Sequence, residues 1–177
     1  MSQDNNQTIK HVNESRQIAK DTRILLVEDN RINQAIMLGV LDNMGVSADI
    51  SGNGIEALTA LNSTADNKPF QLIIMDCHMS EMDGYEATKA IREGKGKDVH
   101  RNVPIIAMTA NDTQDGRDKC LAIGMNDYTT KPVDAEVIYE KIAQCLGITK
   151  ASLKVNTCIG SGSSDDSSDE KTAAGTK

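Results

Sequence analysis

Aromatic residues are scarce in this 177-residue sequence, which has no tryptophan, one phenylalanine and three tyrosines. A hydrophobic core must therefore be built from aliphatic side chains, methionine and alanine, and the chain is long enough for one domain with such a core. No apolar run approaches the ~20 residues that a membrane-spanning helix needs. The N-terminus also lacks the charged-then-apolar pattern of a signal peptide. We therefore expect a cytoplasmic protein whose chain does not insert into a membrane.

Basic clusters and metal-binding cysteine patterns are also missing. The net charge is -7, and an acidic chain without a basic stripe argues against nucleic acid as a direct partner. The four cysteines, Cys77, Cys120, Cys145 and Cys158, have no metal-like spacing, which favours free thiols in a reducing compartment over zinc or disulfides. We interpret Cys77 as a small buried hydrophobe and not as a redox group.

Regular apolar periodicity is confined to residues 23–147. Residues 1–22 are polar with few apolar positions, and we interpret them as a linker or flexible segment. Residues 148–177 become acidic and serine-rich. Such a segment cannot bury enough surface to offset the entropy of ordering it, so we expect a flexible tail. The sequence therefore predicts one domain between two flexible segments.

Short apolar runs alternate with helical patterns through this domain. The predicted strands are Ile24–Val27, Val46–Ile50, Leu72–Met75, Val103–Met108 and Asp127–Thr130. Alternation of this kind predicts an α/β fold with a doubly wound parallel sheet and right-handed crossovers. Five strand–helix units fit the flavodoxin-like (βα)5 arrangement with strand order 2-1-3-4-5.

Two of the predicted helices are unusual. The first begins after the N-cap Asn30, ends at Gly45 and has a broad apolar face. Its face is formed by Ile32, Ile36, Val40 and Met44, with Met37 and Leu41 beside them. The helix predicted over Asp112–Ile123 has few apolar residues, so we expect it to be among the least stable elements.

Acidic, hydroxyl and basic residues follow four of the predicted strands. Asp76 comes directly after the third strand, where an isolated aspartate is most simply a turn cap. Strands 1 and 3 are neighbours in the predicted order, so Glu28 and Asp29 should lie beside Asp76, with Thr109 and Lys131 at the ends of strands 4 and 5. Three close carboxylates repel unless a cation joins them, and oxygen ligands suit Mg2+. The pattern therefore predicts a Mg2+ site where Asp76 is an in-line nucleophile for a phosphoryl group.

This combination resembles the receiver domain of two-component response regulators, over residues 23–147. The matching motifs are Leu26-Val-Glu-Asp-Asn30, Met75-Asp76, Met82-Asp-Gly84, Met108-Thr-Ala110 and Lys131-Pro132. Each motif is weak alone, but together they are highly specific. The segments that begin at Val27 and Met82 look most like receivers attached to hybrid sensor histidine kinases.

The resemblance implies a role for each acid. Asp76 would be the phosphoacceptor. Asp29 would bind Mg2+ directly and Glu28 mostly through water. The backbone carbonyl of His78, two residues past the acceptor, would complete the metal shell.

The resemblance also implies a phosphoryl-binding pair and a switch. Thr109 and Lys131 would bind the phosphoryl group, and Tyr128 would change rotamer together with Thr109. The peptide bond after Lys131 would be cis. Ser80 stands where members of the family commonly have proline, which we expect to alter the order of the loop after Asp76 without preventing phosphorylation.

The implied partner is a sensor histidine kinase or a histidine phosphotransfer domain that carries a phosphohistidine. Residues 148–177 hold no DNA-binding pattern or catalytic motif, so we expect no output domain in this chain. We do not expect this chain to be an enzyme, although the domain would assist its own phosphorylation and dephosphorylation. The first helix has more apolar positions than one buried face needs. We therefore predict that residues such as Ile32, Ala35 and Ile36, with the loops around Asp76 and Lys131, dock a helical partner. The alternative is that Met37 and Leu41 simply widen the core face.

Other functions are also compatible with parts of the sequence. Gly52–Ala57 fits the dinucleotide pattern Gly-x-Gly-x-x-Ala, and Asp76 lies about 20 residues further on, which would suit a Rossmann-type nucleotide-binding module. That function leaves Thr109 and Lys131 unexplained, and a tight turn also explains the glycines. An aspartyl phosphatase would need a second acid where His78 stands. A pseudo-receiver that binds partners without accepting phosphate is a further alternative.

Overall fold

The strands of the sheet occupy the predicted positions to within two residues at each end. The computed structural model describes residues 22–110 and 113–147, so the predicted linker and tail lie outside the described residues. The strands are β1 (Arg23–Val27), β2 (Ser47–Ser51), β3 (Leu72–Asp76), β4 (Ile105–Thr109) and β5 (Asp127–Thr130). All pair in parallel in the order β2-β1-β3-β4-β5, which confirms the predicted fold class.

A helix follows each strand. The helices are α1 (Arg31–Asn43), α2 (Gly54–Ser63), α3 (Gly84–Arg92), α4 (Gln114–Ile123) and α5 (Ala135–Cys145), with a 3-10 turn at Asp98–His100. Each α-helix begins at a side chain that accepts a hydrogen bond from a backbone N–H of the first turn, which would otherwise lack a partner. These caps are Asn30, Asn53, Asp83, Thr113 and Asp134.

The core has two apolar layers, one on each face of the sheet. In one layer, β-strand residues such as Leu25 and Ile73 pack with α2, α3 and α4. In the other, residues such as Leu26 and Ile74 pack with α1 and α5. The strands β3 and β4 are buried along their whole length, as expected for a parallel sheet covered on both faces. Among the described residues, no helix combines the length and apolar character that crossing a membrane requires.

Packing selects one side of α1 as its buried face. Met37 and Leu41 form it, whereas Ile32 is 72% and Ile36 is 54% exposed. The apolar residues predicted as one broad face fall on two sides of the helix because a four-residue step on a 3.6-residue helix turns about 40° past a full turn. Three such steps place Ile32 about 120° from Met44, which is buried. Met37 and Leu41 therefore belong to the core face, and Ile32 and Ile36 lie on the surface.

Helix α4 has little buried surface. Cys120 is its only buried residue, in agreement with the few apolar positions in the sequence. The helix begins at Gln114, two residues later than predicted, and Asp112 lies outside the described residues. Since tertiary packing provides most of the stability of a short helix, α4 is weakly anchored.

Candidate functional site

Three carboxylates meet at the carboxyl edge of the sheet. Glu28 and Asp29 follow β1, and Asp76 ends the neighbouring strand β3. One ligand oxygen from each carboxylate lies within 4.8 Å of the others. Glu28 is 1% and Asp76 is 4% exposed, whereas Asp29 is exposed. The structure therefore brings the three predicted acids together, with two of them buried.

Lys131 pairs with the two buried acids. Its Nζ donates hydrogen bonds to Glu28 Oε2 and Asp76 Oδ2, each at 2.6 Å. Burial raises the pKa of Asp76 above its ordinary value, although the contact with Lys131 partly offsets this. Burial acts to lower the pKa of Lys131, but its hydrogen bonds to Asp76 and Glu28 outweigh burial and the net shift is upward. Lys131 therefore carries its positive charge between two carboxylates.

The start of α1 orients Glu28. Its Oε1 accepts hydrogen bonds from the backbone N–H of Asn30 at 3.1 Å and from the side-chain amide of Asn33 at 3.0 Å. Its other oxygen accepts from Lys131. Both Glu28 oxygens therefore hold protein hydrogen bonds, whereas Asp29 is exposed at the same edge. Asp29 is thus the more accessible of the two acids for an incoming cation.

The loop after Asp76 closes tightly against it. The backbone N–H of His78 donates to Asp76 Oδ1 at 3.1 Å, while Oδ2 accepts from Lys131. The N–H of Gly84 donates to the carbonyl of Cys77 at 3.2 Å. A Cβ atom on Gly84 would lie 2.1 Å from the Asp76 carbonyl oxygen, so only glycine fits there. This close approach is the physical reason for the glycine of the Met82-Asp-Gly84 motif.

Thr109 and Tyr128 lie on the adjacent strands. Thr109 ends β4, is fully buried, and its backbone carbonyl accepts a hydrogen bond from the Lys131 N–H at 2.8 Å. Tyr128 on β5 is half-buried, and Arg117 and Lys141 contact its ring. The peptide bond after Lys131 is cis, as the resemblance implied. The structure therefore brings the predicted hydroxyl and ammonium to the edge that holds the acids.

A contact between two cysteines was missed by the sequence analysis. The Sγ atoms of Cys77 and Cys120 lie 3.8 Å apart, and both residues are fully buried. Burial, with a further contribution from Cys120, raises the pKa of the Cys77 thiol to about 12. Cys77, Cys120 and Cys145 are free, as predicted, and Cys158 lies outside the described residues. A protonated buried thiol is unreactive, which agrees with the interpretation of Cys77 as a small hydrophobe.

The glycine pattern of Gly52–Ala57, at the start of α2, does not offer a phosphate-binding site. The N–H of Gly52 donates to the Glu56 carboxylate at 2.6 Å, and the N–H of Gly54 donates to the Met82 carbonyl at 3.1 Å. The N–H of Glu56 donates to the side chain of Asn53 at 2.9 Å. A dinucleotide site needs N–H groups of this kind for the pyrophosphate. Here they hold the turn and the helix cap.

Comparison with known proteins gives the family. The model of the response regulator receiver domain matches residues 24–143. The chain is 42% identical over 122 residues to hybrid signal transduction histidine kinase B of Dictyostelium discoideum, covering 64% of this chain and 6% of that protein. It is 37% identical over 152 residues to probable histidine kinase 1 of Oryza sativa subsp. indica, covering 70% of this chain and 15% of that protein. The chain therefore spans a small part of each of these curated relatives.

Solved structures agree with this assignment. The receiver domain of a sensor histidine kinase from Pseudomonas aeruginosa, with a magnesium ion coordinated in its active-site cleft, is 36% identical with a TM-score of 0.63, covering 71% of this chain and 98% of that one. A Saccharomyces cerevisiae receiver domain in complex with a histidine phosphotransfer protein is 33% identical with a TM-score of 0.63, covering 73% and 92%. The chain therefore belongs to the response regulator receiver domain family.

Proposed function

We propose that this domain accepts a phosphoryl group on Asp76 from a phosphohistidine of a histidine kinase or histidine phosphotransfer protein. The observation that carries the proposal is the Asp76 carboxylate, buried at the edge of the sheet and paired at 2.6 Å with Lys131. The kinases among its relatives and the receiver–phosphotransfer complex among similar structures support the type of donor.

The acid cluster fits Mg2+. Asp29, Asp76 and the backbone carbonyl of His78 would hold the ion, and Glu28 would act mostly through water. Lys131 pairs with two of the three carboxylates, Glu28 and Asp76. The cluster therefore keeps negative charge that a hard divalent cation would offset. When bound, Mg2+ supplies charge neutralisation for the phosphoryl group. We expect Asp29→Ala to lose Mg2+ binding and phosphorylation together.

The transfer step uses groups that are already in place. One Asp76 oxygen attacks phosphorus, an O–P bond forms, and the P–N bond of the phosphohistidine breaks. The electron pair stays on the imidazole nitrogen, which takes a proton from solvent. Lys131 then donates to a phosphoryl oxygen instead of to Asp76, and the Thr109 hydroxyl donates to another. The product is an acyl phosphate on Asp76.

The proposed switch couples Thr109 to Tyr128, which lies on the adjacent strand β5. Movement of its side chain toward the phosphoryl group would leave space that the Tyr128 ring can enter. Helix α4 would respond most, because Cys120 is its only buried residue. We expect beryllofluoride to change amide hydrogen exchange in α4 and β5 more than in α3.

The docking surface would lie on α1 beside the acids. Ile32 and Ile36 are exposed apolar residues on this helix. A groove next to Ile36 runs between α1 and the segment after β5, and it reaches Glu28 and Lys131. An apolar side chain of a partner helix can enter this groove while the helix packs on Ile32 and Ile36 and its phosphohistidine lies over Asp76.

We further propose a cytoplasmic domain of residues 23–147, flanked by a linker over residues 1–22 and a flexible tail over residues 148–177. The free thiols among the described cysteines agree with a reducing compartment. Limited proteolysis should cleave both flanks and leave the domain intact. Early cleavage inside residues 23–147 would contradict these boundaries.

The test is incubation with Mg2+ and acetyl phosphate, followed by mass measurement of the intact protein. We expect one phosphoryl group that is stable to acid and labile to base. Asp76→Asn should abolish it, and excess EDTA should prevent it. Asp83→Asn is the matched control, because Asp83 caps α3 and lies outside the acid cluster. Stoichiometric phosphorylation of Asp76→Asn would refute the assignment, and a chain that binds a phosphotransfer protein without labelling would be a pseudo-receiver.

A further inference from the structure

The β3–α3 loop, residues 77–83, contains a strained turn. Glu81 has a φ of 66°, a left-handed conformation that is unfavourable for residues with a Cβ atom. The N–H of Met82 donates to the carbonyl of Ser80 at 2.8 Å, so Glu81 is the central residue of a three-residue turn. A non-glycine residue keeps such a conformation only when its surroundings hold it there.

Asn53, at the start of α2, holds this turn. Its side-chain Nδ2 donates to Glu81 Oε2 at 2.7 Å. Its Oδ1 accepts from the Glu56 N–H and caps α2, so the orientation of the amide follows from the cap. Asn53 is 9% exposed. One buried side chain therefore connects the start of α2 to the strained residue of the loop.

A second contact runs between the same elements. The N–H of Gly54 donates to the carbonyl of Met82 at 3.1 Å. A Cβ atom on Gly54 would lie 2.6 Å from the Met82 side chain. The loop is therefore packed directly on the first turn of α2, and a change at Asn53 acts on the loop without passing through the acid cluster.

We propose that Asn53 and Glu81 form a latch that positions the β3–α3 loop for metal binding. The latch is the pair formed by these two side chains, and both are positioning residues. The loop begins beside Asp76 and carries His78, whose N–H already donates to Asp76 Oδ1. The inference rests on the proposed function, because the carbonyl of His78 is a ligand in that proposal.

The position of Ser80 explains why a latch is needed. A proline there would fix φ and stiffen the chain before the turn. Ser80 is exposed and has no such constraint. The hydrogen bond from Asn53 to the neighbouring Glu81 supplies the missing restraint from outside the loop. Outer contacts of this kind orient metal ligands and contribute measurably to metal affinity.

The decisive variant is Asn53→Asp, tested in the full chain. Aspartate caps a helix as well as asparagine does, but it replaces the donor that faces Glu81 with a second carboxylate. We expect Mg2+ affinity, measured by calorimetry, to fall roughly tenfold, as for other outer contacts of metal sites. Amide exchange over residues 77–83 should rise without Mg2+. The added negative charge would by itself favour Mg2+, so charge cannot cause the loss.

Two further variants distinguish an effect on the position of the β3–α3 loop from an effect on the folding of the domain. In the Asn53→Asp, Glu81→Gln double variant, the glutamine amide can donate to the aspartate, so Mg2+ affinity should return to near that of the unaltered chain. Glu81→Gly removes the carboxylate but accepts the positive φ without strain, so it should weaken Mg2+ binding without lowering Tm. Together these variants keep the inference testable even if Asn53→Asp folds poorly.

The outcomes are distinguishable. Unchanged Mg2+ affinity in Asn53→Asp and Glu81→Gly, or no recovery in the double variant, would overturn the latch while leaving the proposed function intact. A lower Tm with unchanged Mg2+ affinity would make the contact merely structural. Failure of the unaltered chain to bind Mg2+ would overturn the proposed function, and the latch with it.

Discussion

The guanidinium carbon of Arg117 lies 5.0 Å from the centroid of the Tyr128 ring. Lys141 Nζ lies 5.2 Å from the same centroid and is held in place by Asp127 at 2.7 Å. Helices α4 and α5 thus each place a cation against the ring on β5. Cation–π attraction stabilises the half-buried position of the ring and so opposes the inward turn proposed for Tyr128.

We predict that Arg117→Gln makes the inward position of Tyr128 easier to reach. A cation–π contact at a partly exposed site is worth roughly 0.5–1 kcal/mol, so beryllofluoride affinity should rise about two- to fivefold. Tyrosine fluorescence can follow the titration because the chain has no tryptophan. Lys119→Gln is the matched control, since Lys119 lies on the same helix but contacts Tyr85. Equal effects of both variants would mean that charge alone is responsible.

Removal of the Lys131 ammonium should destabilise the metal-free domain. In Lys131→Ala the buried carboxylates of Glu28 and Asp76 lose their counter-ion, and we expect the free energy of unfolding in EDTA to fall by about 3 kcal/mol. Mg2+ should still bind and restore much of this loss, while labelling by acetyl phosphate becomes slow. Urea unfolding with and without Mg2+ measures both effects.

Lys141→Ala is the control for that experiment. Lys141 is about as exposed as Lys131, but its partner Asp127 is more exposed than Glu28 and Asp76 and lies outside the acid cluster. Mg2+ should not rescue this variant. If Lys131→Ala no longer bound Mg2+, the division between metal-binding acids and a phosphoryl-binding lysine would be wrong.

The exposed isoleucines of α1 should be needed for phosphoryl transfer from a partner protein but not for labelling by acetyl phosphate. We expect Ile32→Asp with Ile36→Asp to reduce phosphoryl transfer from a histidine phosphotransfer protein at least tenfold, because a charge would be buried at the interface. Ile55→Asp is the control, as Ile55 is 50% exposed on another helix. Loss of acetyl phosphate labelling in the α1 variant would show that the fold had been damaged instead.

The stability of the domain should fall in mild acid because of His100. This residue is fully buried, its Nε2 accepts from the Phe70 N–H at 3.1 Å, and its Nδ1 lies 3.0 Å from the Gly96 carbonyl. Burial lowers the pKa of His100 below its ordinary value near 6.5. Below that pH the unfolded chain binds more protons than the folded one. Stability from this group is therefore complete above about pH 6.5 and falls as pH drops, by at most about 1.4 kcal/mol per pH unit.

Urea unfolding across this pH range tests the effect. His100→Gln should flatten the slope, whereas His78→Gln, at an exposed position, should leave it unchanged. A slope that persists in His100→Gln would assign the acid sensitivity to other groups.

The residues that meet at the carboxyl edge of the sheet could be predicted, because the parallel register of neighbouring strands brings their carboxyl ends together. Once β1 and β3 are neighbours, Glu28 and Asp76 must lie close together, and the same argument places Thr109 beside Lys131. The buried face of α1 could not be predicted as reliably. Apolar residues surround much of that helix, and only packing determines which of them are buried. The contact between Asn53 and Glu81 depends on the conformation of a strained loop, for which local sequence has no simple pattern.

Lys131 and Glu28 are 103 residues apart in the chain, although their charged atoms lie 2.6 Å apart. During synthesis the acids leave the ribosome long before this lysine does, and β5 joins the sheet last in sequence. A nascent or truncated chain that lacks β5 would carry the carboxylates without their counter-ion. The proposed phosphorylation of Asp76 therefore depends on a contact that forms only after β5 has been made and has joined the sheet.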